Sequence, residues 1–172
     1  MRAAEPRKTV WSGRYLAVRT EGRWEFVSRV RGIGAAAILA LDGDHVILVE
    51  QYRVPLGANC LELPAGLVGD ETQGEAVEAA ATRELEEETG YRAARIENLG
   101  RFCSSPGMTS ETFTLLSATG LEKLCEGGGD AAEAITVHRV ALEDIAGFVE
   151  AKRAEGCVID VRILALLGAG LV

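Results

Sequence analysis

The segment from Thr72 to Thr89 constrains this chain more than any other, because apolar and acidic residues there compete for one helical face. Thr72 with Glu75 three residues later matches a capping box, and Gly90 supplies a C-terminal stop, so the pattern predicts a helix over 72–89. Advancing about 100° per residue from Val77, Ala80, Ala81 and Leu85 fall within roughly 80° of it and form the stripe that should face a sheet. By the same rule Glu84 and Glu88 land within roughly 20° of the stripe centre, Glu87 at its edge and Glu86 on the opposite side. Glu-rich runs are usually solvated helix faces, since Glu is a good exposed helix former. Here the angular placement weighs against that reading: carboxylates turned toward a core are costly unless they are paired or hold a cation, and Glu84 and Glu88 repel each other at i and i+4. One arginine does not readily satisfy three carboxylates. An all-oxygen set of this kind suits Mg²⁺ or Mn²⁺.

The rest of the chain narrows the setting. Its 172 residues, 48% apolar and 26% charged, suffice for one folded domain with a sizeable core. The net charge of −8 argues against a nucleic-acid binder, which needs a basic surface. It leaves room for a small phosphorylated substrate, because divalent ions between acid and phosphate invert the local charge. No apolar run approaches the ~20 residues of a membrane span. Met1 to Lys8 lacks a signal-peptide core, so a cytoplasmic protein is expected. Cys60, Cys103, Cys125 and Cys157 show no metal-ligand spacing and read as reduced thiols, mostly buried or neutral in role.

Two N-terminal strands are expected, Val10 to Thr20 and Trp24 to Val30, around the turn Glu21-Gly22-Arg23. Ile33 to Leu41 and Val46 to Glu50 flank Asp42-Gly43-Asp44, a strong hairpin signal. Further strands are expected at Leu61 to Leu63, Ile96 to Cys103, Thr112 to Ala118 and Ala134 to Leu142. Two closing helices follow, Leu142 to Ala154 and Val158 to Leu167. Gly127-Gly128-Gly129 reads as a flexible loop that could close over substrate. The order of elements fits an α/β (α+β) sandwich. It divides into an N-terminal strand region, 1–30, and a main domain, 31–172.

From Gly69 the chain runs five residues to Glu75, seven more to Arg83, then Glu84-Leu85-Glu86-Glu87-Glu88-Thr89-Gly90-Tyr91. This resembles the Nudix box, G-x5-E-x7-R-E-U-x-E-E-x-G-U with U a bulky apolar residue; Tyr91 replaces the usual aliphatic at the last position. Glu50-Gln51-Tyr52-Arg53, then Leu61-Glu62-Leu63-Pro64-Ala65-Gly66, and later Ser105-Pro106-Gly107 with Glu111, resemble the ADP-ribose pyrophosphatase branch of that family. The resemblance implies the Nudix fold, a mixed β-sheet sandwiched between helices with an antiparallel N-terminal strand region. It implies that Glu84, Glu87, Glu88 and the Ala65 carbonyl bind Mg²⁺ (Mn²⁺ may replace it), with Arg83 orienting the glutamates. Glu75 then caps with Thr72, ties down the loop before the helix, or does both. Arg29, Arg53, Glu62, Gly107, Met108 and Glu111 become expected substrate contacts. Glu87 or Glu133 is the expected catalytic base, with Glu126 and Asp130 as rivals to Glu133. His138, within a strand, reads as structural. Trp24 and Phe26, with Arg29, offer a stacking surface for a base or simply alternate into a local core.

The implied reaction is hydrolysis of ADP-ribose to AMP and ribose 5-phosphate by a homodimer that binds no nucleic acid and no membrane. The alternatives are another nucleoside diphosphate compound such as GDP-mannose or a dinucleotide, or a Nudix-fold binding module without catalysis.

Overall fold

Ala36 to Ala40 and Val46 to Val49 are buried without interruption, which explains why both runs are continuously apolar: they form central strands covered on both faces. The structure, a computed structural model, describes residues 6–69, 74–129 and 134–164. Strand β1 spans Lys8–Ser12, β2 Leu16–Glu21 and β3 Trp24–Arg29, and these pair antiparallel as a separate three-stranded sheet. The expected single strand over 10–20 is broken where the Gly13 amide turns back to the Leu16 carbonyl at 2.8 Å.

Strands β4 (Gly34–Asp42) and β5 (His45–Arg53) form the central hairpin, with Gly43 at φ 63 in its turn. Strands β6 (Ala58–Glu62) and β7 (Ala65–Val68) extend β5 and β4 respectively. Helix α1 (Val77–Thr89) follows, then the long hairpin β8 (Tyr91–Phe102) and β9 (Phe113–Lys123). The β4–β9 pairing is parallel, so the sheet is mixed. Strand β10 (Thr136–Ala141) pairs with β5, helix α2 spans Ile145–Ala154, and the short β11 (Val158–Ile159) runs parallel to β6. One core, around Ile38, Ile47, Leu85 and Leu116, lies under α1. The other, around Leu48, Leu61, Val149 and Ile163, lies under α2. The expected sandwich is therefore observed.

Two helix boundaries differ from expectation. Helix α1 starts at Val77 with Ala76 as its N-cap and no side-chain cap. Gly74 has φ 82, a left-handed backbone that an α-helix does not accommodate, so the helix cannot run back to Thr72; Thr72 itself lies outside the described residues. Over the start of the expected closing helix, 158–167, the chain instead forms β11 and a 3-10 turn, Val161–Ile163, capped by the Asp160 carboxylate on the Arg162 amide at 2.7 Å, while 165–167 lie outside the described residues. Val158 and Ile159 are drawn into the edge of β6, a tertiary pairing that outweighs local helical pattern.

The N-terminal sheet is docked through one strand. The Val27 amide donates to the Met108 carbonyl and the Ser110 amide to the Val27 carbonyl, each at 2.9 Å. The loop between β8 and β9 thus becomes an extra partner for β3 and carries that sheet beside the main domain.

Candidate active site

The inward tilt of the α1 glutamates is observed. Glu88 is 4% exposed and lies in the helix's buried face beside Ala81 and Leu85. The Glu84 side chain is 14% exposed and that of Glu87 54%, in the order their angles predict. Glu86 points away and pairs with Arg92.

Strand β7 presses against these acids. The Ala65 amide donates to Glu88 Oε2 at 3.0 Å. A Cβ on Gly66 would lie 1.9 Å from Glu84 Cδ, so only a glycine lets the Glu84 carboxyl occupy its place. Arg83 gathers the same acids from the other side. Its Nη1 donates to Glu84 Oε1 at 3.0 Å and Glu87 Oε2 at 3.2 Å, and its Nε lies 3.6 Å from Glu75 Oε1. Glu75 also accepts from the Gly69 amide at 3.3 Å. It therefore ties down the loop before the helix, and Ala76 takes the capping position.

The C-terminal end of α1 has no basic residue in its last turn. Its open carbonyls are met by the glycine run instead. Gly128 and Gly129 donate to the Glu88 and Glu87 carbonyls at 2.8 and 3.1 Å. A Cβ on Gly127 would sit 2.3 Å from the Thr89 carbonyl carbon. The expected flexible gate is thus a fixed cap over the described part of the loop, and its glycines are there for close backbone approach. Glu133 and Asp130 lie outside the described residues.

A cleft of about 510 Å³ opens in front of Glu84 and Glu88, with Arg29, Arg53, Glu111 and Arg162 on its other walls. Arg29 pairs with Glu111. Arg53 grips the buried Glu62 through Nε at 2.6 Å and Nη2 at 3.0 Å. That bond holds the Arg53 pKa above its ordinary value. Gly107 lines a different hollow of about 270 Å³, with Trp24, Phe26 and Pro106. Met108 is 64% exposed and meets β3 through its carbonyl. The structure thus brings Arg29, Arg53, Glu111, Ala65, Glu84 and Glu88 to one cleft, places Glu62 beneath it, and sets Gly107 and Met108 apart.

Sequence reasoning missed Gln51, Asp160 and Arg162. Gln51 and Arg162 line the cleft, and Asp160 holds Arg162. Gln51 had a usable signal: by alternation along the strand it shares a face with Arg53.

Among the described residues no three His, Cys, Asp or Glu side chains form a preassembled metal cage. The donor chemistry still fits a hard cation. Mg²⁺ is commonly held by one or two carboxylates plus substrate phosphates, keeping several waters, and the Gly66 cradle leaves the Glu84 carboxyl at the cleft wall.

The mixed sheet lies between helices, and acids of one helix face arginines across the cleft. The chain belongs to the NUDIX domain family, whose model matches residues 30–155, and it is a Nudix hydrolase. It is 34% identical over 152 residues to the methanol dehydrogenase activator of Bacillus methanolicus, covering 84% of this chain and 80% of that protein. It is 39% identical over 125 residues to the ADP-ribose pyrophosphatase of Bacillus subtilis, covering 72% of this chain and 66% of the relative. Among solved structures, one described as an ADP compounds hydrolase superposes with a TM-score of 0.70 at 25% identity, covering 86% of this chain and 82% of the other.

Proposed function

We propose that the protein hydrolyses the diphosphate of ADP-ribose, or a closely similar ADP-sugar, to AMP and the sugar phosphate, with Mg²⁺ or Mn²⁺. The observation that carries this is the cleft itself: two inward carboxylates, Glu84 and Glu88, stand opposite Arg29 and Arg53. That arrangement suits a ligand with a phosphate bridge at its centre. The family relatives named for ADP-ribose support the choice of nucleotide.

Glu84, Glu87, Glu88 and the Ala65 carbonyl would hold the cations, which when bound neutralise phosphate charge and acidify water. The chain's own residues supply position. Arg83 fixes Glu84 and Glu87 by charge-assisted bonds. Arg53, braced by Glu62, binds the phosphate bridge, and Arg29 binds beside it. A water attacks one phosphorus, the bridging oxygen leaves with the other phosphate, and the proton passes to a carboxylate. Glu87, with its half-exposed side chain, and Glu133 are the candidates for that proton. The Trp24–Phe26 hollow suits a base, because aromatic faces stack on it.

The same reading makes the protein a homodimer through its N-terminal sheet, where Val10, Trp11, Tyr15, Leu16 and Trp24 are exposed. Light scattering should give twice the chain mass.

The decisive experiment is release of the nucleoside monophosphate, AMP from ADP-ribose and ADP-glucose and GMP from GDP-mannose, with Mg²⁺ and with EDTA. Metal-dependent turnover fastest on an ADP-sugar is expected; turnover of GDP-mannose alone would overturn the adenine reading. Glu87→Gln should abolish Mg²⁺-dependent turnover and leave the fold intact.

A further inference from the structure

The C-terminal turn reaches the cleft in a way the catalytic helix does not require. Arg162, in the 3-10 turn after β11, extends back across the sheet edge. Its Nη2 donates to Glu62 Oε2 at 3.0 Å and to Asp160 Oδ2 at 2.7 Å, and its Nε donates to Asp160 Oδ1 at 2.8 Å. The guanidinium lies over the Phe113 ring, 5.6 Å from its centroid. Burial works against the Arg162 charge, but the Asp160 bond together with the nearby Asp160 and Glu62 charges outweighs it and the pKa is raised. Glu62 is therefore held from two sides: Arg53 takes both of its oxygens and Arg162 shares one of them.

The imbalance between the two arginines is informative. The Arg53 side chain is 39% exposed, Arg162 only 18% and Glu62 only 5%. A half-exposed arginine on a strand end has many rotamers, and holding it in one costs entropy. A bidentate bond to a carboxylate removes that freedom only if the carboxylate cannot itself turn. Arg162 and Asp160 provide that rigidity. Arg53 spends Nε and Nη2 on Glu62, and its Nη1 has no hydrogen bond to another described residue.

We infer that Arg162 is a positioning residue for substrate binding: through Glu62 it locks Arg53 in the conformation that meets the phosphate bridge. The inference rests on the proposed role of Arg53. It makes the C-terminal turn, which is remote in sequence from the catalytic helix, part of the binding apparatus. A chain ending before Asp160 would keep its acidic helix and lose the brace.

The test uses the full chain and whichever of ADP-ribose, ADP-glucose and GDP-mannose the wild type hydrolyses fastest with Mg²⁺. Arg162→Gln should raise KM about tenfold, the loss of roughly one charge-assisted bond, with kcat changed less than about twofold, because ground-state and transition-state binding fall together. Arg162→Lys keeps the charge but not the fork, and should raise KM in the same direction with melting unchanged; it decides the matter if the Gln variant does not fold. In an Arg53→Gln background, Arg162→Gln should add no more than about twofold to KM, the non-additivity of residues acting through one another. Additive effects, or no KM change in either Arg162 variant while Arg53→Gln raises KM, overturn the inference. An unchanged KM in Arg53→Gln alone instead refutes the role of Arg53 itself.

Discussion

Gly66→Ala separates the chemistry of this site from its stability. Gly66 carries no left-handed backbone, so alanine's own φ and ψ are permitted there; the obstacle is the Glu84 side chain. The new methyl would lie 1.9 Å from Glu84 Cδ and 2.3 Å from its Cγ and Oε1. An ordinary carbon contact is about 3.5 Å, so the carboxyl must withdraw by roughly 1.6 Å. It is the far end of a flexible side chain and can do so. Leaving its rotamer well costs about 1 kcal/mol, a fall in Tm of roughly 2–4 °C for a chain of this size. Catalysis suffers far more: a displacement near 1 Å at a positioned group costs about 100-fold in rate, or ~2.7 kcal/mol of transition-state stabilisation. We expect kcat/KM for ADP-ribose at saturating Mg²⁺ to fall about 100-fold, with a cooperative melt only slightly shifted. The measurements are AMP release by chromatography and thermal melting followed by circular dichroism. A variant that kept kcat/KM within about threefold of wild type would show that the Glu84 carboxyl is not held where turnover needs it.

Gly127→Ala should do the reverse. Its Cβ meets backbone of Thr89 and Gly90 at 2.3 and 2.6 Å, atoms that cannot swing aside, so a loss of about 3 kcal/mol is expected in chemical denaturation; a wild-type midpoint would refute the close approach. Glu50 accepts from Asn59 at 2.9 Å and lies 3.0 and 3.1 Å from His138 and Lys152. Burial alone would raise its pKa, and the bonds from Asn59, Lys152 and His138 outweigh that and hold it below the usual carboxylate range. A folded pKa below the unfolded one gives stability that is present above the unfolded value and lost as pH falls through the folded one. Between about pH 5 and pH 3 Tm should therefore fall more steeply in wild type than in Glu50→Gln, and parallel profiles would sink the idea. Burial pushes the Cys60 thiol up to about 12 and raises that of Cys157. Iodoacetamide at neutral pH should then modify Cys103 and Cys125, both exposed, before the buried pair; early labelling of Cys60 by mass spectrometry would contradict this.

Helix α1 was legible because its information is local. Residues 77–89 carry both the apolar stripe and the acids, and helical angle alone turns Glu84 and Glu88 inward, as observed. The continuous apolar runs of β4 and β5 disclosed a doubly covered sheet in the same way. The start of α1 was misjudged, since Thr72 and Glu75 fit a capping box while Gly74 takes a backbone that only the fold selects.

What sequence alone determined, then, was the set of groups available for chemistry: three acids and an arginine at fixed helical spacing, and a pattern able to build a sheet against them. Tertiary structure decided what faces those groups. Arg162, held by Asp160, reaches Glu62 across 100 residues of chain, β11 exists only because β6 offers an edge, and Gly66 matters only because Glu84 arrives beside it. Angular pattern is a property of neighbours along the chain, whereas these contacts form between segments whose approach is settled by packing of the whole molecule.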